Sequence, residues 1–158
     1  MKASGWTVER LYREYGDLVL RRARRIMGSE ADAQEILQEL FVSFVERPEQ
    51  LAGKTSLTGW LYGATTHLCL NTLRNRRNRL RLLQERTSDG EAPAPATAET
   101  RLSAQELLAA LPDPLAQVAV HYYFDEMTHE EIAEIVGVSR RHVGNLLQQI
   151  HERMQARA

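Results

Sequence analysis

Between Ser139 and Gln149 the sequence SRRHVGNLLQQ puts a hydroxyl, two guanidiniums, an imidazole and three carboxamides within eleven positions. Ser139, Arg140, Arg141, His142, Asn145, Gln148 and Gln149 carry groups that hydrogen-bond phosphate oxygens or the base edges of a major groove. A second concentration lies upstream. From Asn71 to Gln84 there is no acidic residue, while Arg74, Arg76, Arg77, Arg79 and Arg81 crowd together. Fixed positive charge of this kind suits a nucleic-acid backbone and gives salt-dependent affinity through counterion release. His67, Asn71, Arg74, Asn75 and Arg77 are polar or cationic side chains of this stretch or close before it. Trp60 and Tyr62 could stack on unpaired bases, although Trp60 also falls on an apolar stripe, where core packing is the better account. A third set, Gln34, Glu35, Gln38 and Glu39, offers hydrogen bonds and negative charge from one helix face. Taken alone it reads more readily as a solvated face.

Catalytic chemistry finds no comparable set. HEEIA, from His129, begins like a zinc-protease helix, but Ala133 stands where the second histidine must be. Gly-rich phosphate loops, nucleophile elbows and cysteine clusters are missing from the sequence. His121, His129, His142 and His151 are scattered without ligand spacing. The expectation is a chain that is not an enzyme and holds no metal and no cofactor.

The elements that must position these groups read as helices throughout. Val8, Leu11, Tyr12, Tyr15, Leu18, Val19, Ala23 and Ile26 recur at helical spacing, Gly28 is a stop, and Ser29 caps the next helix. That helix turns Ala33, Ile36, Leu37, Leu40, Phe41, Phe44 and Val45 inward until Pro48 closes it. After a loop over 48–55, Ser56 or Thr58 caps a third helix that buries Trp60, Leu61, Ala64, Leu68, Cys69, Thr72 and Leu73. Between Thr87 and Thr100 the stretch TSDGEAPAPATAET loses apolar periodicity and reads as a tether. Asp113-Pro114 predicts an N-cap with proline at the first helical position, and Leu115, Val118, Ala119, Tyr122 and Tyr123 an inner face. Thr128 and Glu131 form a capping box. Ile132, Ala133, Ile135 and Val136 then supply a buried face, Gly137 ends that helix in the left-handed conformation, and Ser139 restarts another on Val143, Leu146, Leu147 and Ile150. Two helices joined by a short glycine-containing turn make a helix-turn-helix, although the same corner occurs inside enzymes. The fold class is all-α: two small helical domains, 1–84 and 105–158, joined by a flexible linker over 85–104.

Composition is compatible with this. The chain has 158 residues, 43% hydrophobic and 26% charged, with a net charge of −1 that hides the segregation of arginines from acids. No apolar run reaches membrane-spanning length, no signal-peptide pattern opens the chain, and the lone cysteine, Cys69, reads as a buried thiol. A cytoplasmic location without membrane insertion is expected.

Together, these motifs resemble the sigma-70 family of bacterial transcription initiation factors, and within it the small extracytoplasmic-function group. DAQEILQELFVSF (Asp32 to Phe44) is similar to the segment that grips the clamp of RNA polymerase. LTGWLYGATTHLCLNTLRNRRNR (Leu57 to Arg79) resembles the helix that opens and reads the −10 element. LPDPLAQVAVHYYFDEMTHEEIAEIVGVSRRHVGNLL resembles the domain that reads the −35 element. The resemblance implies an alternative sigma factor with core RNA polymerase and promoter DNA as partners, and an anti-sigma factor as a regulator. It assigns Gln34, Glu35, Gln38 and Glu39 to the polymerase, and His67, Asn71, Arg74, Asn75 and Arg77 to the −10 strand. Ser139 to Gln149 then serve the −35 groove, and the 48–55 loop an extruded base. Two departures stand out: the family usually has asparagine at His67, and its recognition helix is commonly richer in lysine and arginine. A stand-alone helix-turn-helix regulator is the alternative.

Overall fold

A computed structural model describes residues 7–52, 56–87 and 103–156. The described residues are helices and turns, and they fall into two compact units, Met1–Cys69 and Leu70–Ala158. Most of the proposed tether, and Gly53 to Thr55 of the 48–55 loop, lie outside the described residues.

In the first unit, helix α1 (Val8–Met27) begins at Thr7, whose hydroxyl accepts from the Arg10 N–H at 3.2 Å, and ends at Gly28 with φ 70°. Only a residue without Cβ adopts that left-handed conformation cheaply. Ser29 accepts from the Asp32 N–H to start α2 (Glu30–Glu46). A short 3₁₀ turn, Pro48–Leu51, leads toward α3 (Leu57–Thr87), where Ser56 accepts from the Gly59 N–H at 3.4 Å. The core joins Leu11, Val19, Leu37, Leu40, Phe41, Phe44, Leu51 and Leu61. Phe44 is fully buried, edge-on to Phe41 with ring centres 5.3 Å apart, and 5.4 Å from Trp60. Trp60 is therefore partly buried against the core, as its place on the apolar stripe predicts.

Two expectations for this unit need correction. Val45 is 64% exposed instead of inward, and Tyr12 is 53% exposed. On α2 the buried residues Ala33, Leu37, Leu40, Phe41 and Phe44 already fill one stripe, and Val45 falls past its edge, on the side of exposed Val42.

Within the second unit, α4 (Ala104–Ala110) opens with a capping box between Ser103 and Glu106. Helix α5 (Leu115–Ala119) follows, with Pro114 at the cap position and no side-chain cap. The predicted Asp113 cap with Pro114 as first helical residue is thus displaced by one, and the Asp113 carboxylate is engaged elsewhere. Over Val120–Phe124 the helix widens to a π turn, in which the Asp125 N–H donates to the Val120 carbonyl. That extra residue shifts the helical register. Tyr122 and Tyr123, expected inward, are 38% and 48% exposed, and His121 turns in to place Nδ1 3.0 Å from Asp125 Oδ2. Helix α6 (His129–Val136) starts on the predicted Thr128/Glu131 box and stops at Gly137, φ 79°; Ser139 caps α7 (Arg140–Gln155). Ile132, Val143, Leu146 and Ile150 are buried, but Ile135 is 55% exposed, against its expected inner placement. The covered side of α6 runs over Ile132 with Ala133 and Val136 half-buried beside it, and Ile135 falls past its edge.

Between the π turn and α6, Glu126 has φ 53°, a left-handed conformation that costs a side chain with Cβ about 1 kcal/mol. Glu126→Gly removes that strain at the expense of some unfolded-state entropy. The expected outcome is stabilisation by roughly 0.5 kcal/mol, read as a higher urea midpoint at unchanged slope.

Candidate nucleic-acid interface

The Ser139–Gln149 segment is held by its own turn. The Ser139 hydroxyl accepts the His142 N–H at 3.1 Å, which starts α7 and leaves its own O–H free to donate. Arg140, Arg141, His142, Asn145, Gln148 and Gln149 are all exposed along the helix, while Val143, Leu146 and Ile150 anchor it from the other side. A Cβ built at Gly144 meets nothing within 4 Å, so the space over that part of the helix is open. Arg140 Nη1 lies 3.2 Å from Glu130 Oε1, both side chains more than two-thirds exposed, and Gln148 donates to Glu152 at 3.3 Å. Exposed pairs of this kind are worth little in water and yield readily to a phosphate. The surface can therefore present cations and carboxamides to a groove without rearranging its backbone.

On α3 the candidates divide. His67 and Asn75 are exposed, Asn71 is half-buried. Arg74 is half-buried as well; its Nη1 donates to Asp113 Oδ2 at 2.9 Å and lies 3.5 Å from Asn71 Oδ1. Arg77 is exposed, and its Nη1 donates to the Ala109 carbonyl at 3.5 Å. Beneath the start of the helix, Tyr62 is fixed from below. The Arg22 guanidinium sits 4.4 Å from its ring centre, Arg22 Nε donates to Thr66 Oγ1 at 2.8 Å, and the Thr66 hydroxyl donates to the Tyr62 carbonyl at 2.8 Å. A buried arginine on α1 was not legible as a partner of Tyr62, because 40 residues separate them and nothing local links the two.

The polar set on α2 is exposed at all four positions, Gln34, Glu35, Gln38 and Glu39. Gln34 donates to Glu30 at 3.2 Å; Glu30 is also hydrogen-bonded by Arg24, and that bond, with Gln34's, holds its carboxyl below the usual carboxylate range. Gln38 borders an apolar groove formed with Val8, Tyr12, Phe41, Val42 and Val45. Periodicity placed Tyr12 and Val45 in the core, so the sequence concealed this groove.

Among the described residues no group of histidine, cysteine and carboxylate side chains could hold a metal ion, and no helix is long and apolar enough to cross a membrane. Cys69 is fully buried, and desolvation pushes its thiol from about 9 up to about 12. Alkylation by iodoacetamide at pH 8 is expected only at the rate of unfolding; rapid modification of the native chain would contradict that burial. Above pH 9 the unfolded thiol ionises and the folded one does not, so the unfolded state gains and stability falls toward pH 12.

Residues 11–79 match the family Sigma-70 region 2, and residues 101–154 match Sigma-70, region 4. The chain is 32% identical over 154 residues to the ECF RNA polymerase sigma factor SigE of Mycolicibacterium smegmatis, covering 93% of this chain and 58% of that one. It is 26% identical over 156 residues to the ECF RNA polymerase sigma factor SigW of Bacillus subtilis, covering 90% and 82%. A solved sigma factor RpoE of Bartonella quintana, in complex with the anti-sigma factor NepR, aligns over 94% of each chain at 17% identity and a TM-score of 0.49.

Proposed function

Since the chain belongs to the sigma-70 family, we propose that it is an alternative sigma factor of the extracytoplasmic-function group, which directs core RNA polymerase to its promoters. The observation that carries this reading is the presence, in one chain and in this order, of a region 2 match and a region 4 match. A helix-turn-helix alone serves many regulators; the pair serves initiation.

Gln34, Glu35, Gln38 and Glu39 dock on the polymerase, their charges setting orientation and encounter rate. The groove of Tyr12, Phe41, Val42 and Val45 beside Gln38 supplies apolar area of the kind found at interface centres. His67, Asn71, Arg74, Asn75 and Arg77 on α3 hold the melted −10 strand, with Tyr62 available for stacking. Arg140 to Gln149 enter the −35 major groove, where arginine and the carboxamides read guanine and adenine edges. The segment between α3 and α4 joins two weak interactions into one strong one. Bond-forming chemistry belongs to the polymerase, and the chain needs no metal or cofactor of its own. A cytoplasmic location follows from that role, and an anti-sigma factor covering the polymerase-facing surfaces would silence it.

Gel filtration with purified core polymerase, followed by a mobility shift on duplex DNA, tests the reading. The chain should co-elute with core and confer specific duplex binding only in that complex. A chain that ignores core and binds paired half-sites as a dimer is instead a stand-alone regulator.

A further inference from the structure

Arg74 belongs to the group assigned to the melted strand, yet in the free chain its guanidinium meets a carboxylate of its own chain. Nη1 donates to Asp113 Oδ2 at 2.9 Å. Nη2 lies 2.9 Å from Oδ1 but off hydrogen-bond geometry, and the buried Nε has no hydrogen-bond partner among the described residues. One turn along, Arg77 reaches the Ala109 carbonyl. Both interactions lie within the second compact unit, between the later turns of α3 and the α4–α5 segment. Asp113 is not needed to cap α5, which starts without a side-chain cap. Arg74 keeps 24% of its side chain exposed and Asp113 36%, but Arg74 Nε and Nη2 are themselves buried, so an outside anion reaches the fork only as Asp113 leaves it.

We propose that Asp113 occupies, in the free chain, the anion site that Arg74 offers to a nucleic-acid phosphate, so that single-stranded DNA must displace an internal carboxylate in order to bind. Carboxylate and phosphate compete for the same planar fork because each presents two charged oxygens at similar spacing. The carboxylate does not saturate the fork: Nε is unmet and Nη2 is misaligned. A backbone phosphodiester, whose two non-bridging oxygens match the fork as the carboxylate's do, can therefore replace it, at a cost set by the broken pair. The device keeps the free chain a poor ligand for single strands and reserves Arg74 for the assembled complex. It rests on the assignment of α3 to the melted strand.

The test uses the full chain and a fluorescein-labelled oligothymidylate 12-mer, with dissociation constants from anisotropy at low salt. Asp113→Asn is expected to tighten binding roughly three- to tenfold, the range of a partly exposed ion pair. Arg74→Ala should weaken binding, with unchanged circular dichroism. In the Arg74→Ala background, Asp113→Asn should add nothing. Tightening of the same size in that background would show a general effect of removing negative charge and overturn the proposal. No tightening from Asp113→Asn, with Arg74→Ala still weakening, would overturn it while leaving the strand assignment of α3 intact. No effect of Arg74→Ala would remove the strand assignment itself, and the masking proposal with it.

Discussion

Glu35→Lys with Glu39→Lys is expected to lower the affinity for core polymerase by ~100-fold, because reversed charges repel the partner surface and forfeit their hydrogen bonds together. Both carboxylates are exposed on α2, whose inner stripe of Leu37, Leu40, Phe41 and Phe44 is untouched by the change. Circular dichroism and the urea midpoint should stay within error, and binding to oligothymidylate should not fall. The measurement is a competition titration against wild-type chain for labelled core. Unchanged competition would move the docking surface away from this face of α2. Val42→Asp would then show whether the apolar groove beside Gln38 holds the polymerase instead.

Arg140→Ala with Arg141→Ala should lower promoter affinity of the polymerase complex about tenfold to a hundredfold. The slope of log affinity against log salt should become shallower by roughly two, one for each phosphate no longer neutralised. Core binding should be unaltered. The first of these arginines faces Glu130 in the free chain, an exposed pair whose removal costs little stability. A filter-binding series across salt concentrations separates the outcomes. Weaker binding with an unchanged slope would mean that the arginines read base edges and not the backbone. An equal fall in core binding would contradict the division of labour between the two modules.

How far the sequence reached can be seen element by element. Most caps and stops were legible because they depend on one or two residues: Thr128 with Glu131, Gly137 and Ser139 all act as their residue types dictate, while Asp113 pairs with Arg74 instead of capping α5. The buried face of α7 and, Tyr12 apart, that of α1 followed from period alone, and Leu11, Val19, Val143 and Ile150 lie where the spacing puts them. Legibility failed where register or tertiary partners decide. The π turn at Val120–Phe124 inserts a residue that no local signal announces, so the tyrosines turn out and His121 turns in toward Asp125. Val45 and Ile135 are apolar residues at positions that period permits but packing leaves uncovered. For the interface, the exposed set on α7 was fully visible, because an amphipathic helix shows its outer face by elimination. On α3 the arginine run was visible, but its internal partners were not. Arg74 and Asp113 are 39 residues apart, and a guanidinium looks equally available in a sequence whether or not a carboxylate holds it.

Run-off transcription by bacterial core polymerase, on a pool of genomic fragments with and without the purified chain, is the most direct measurement. With the chain present, transcripts should begin at a discrete set of sites sharing two elements at fixed spacing near −10 and −35, and these should vanish when the chain is omitted. Start sites that are the same with and without the chain, despite stable assembly with core, would contradict its role in choosing promoters.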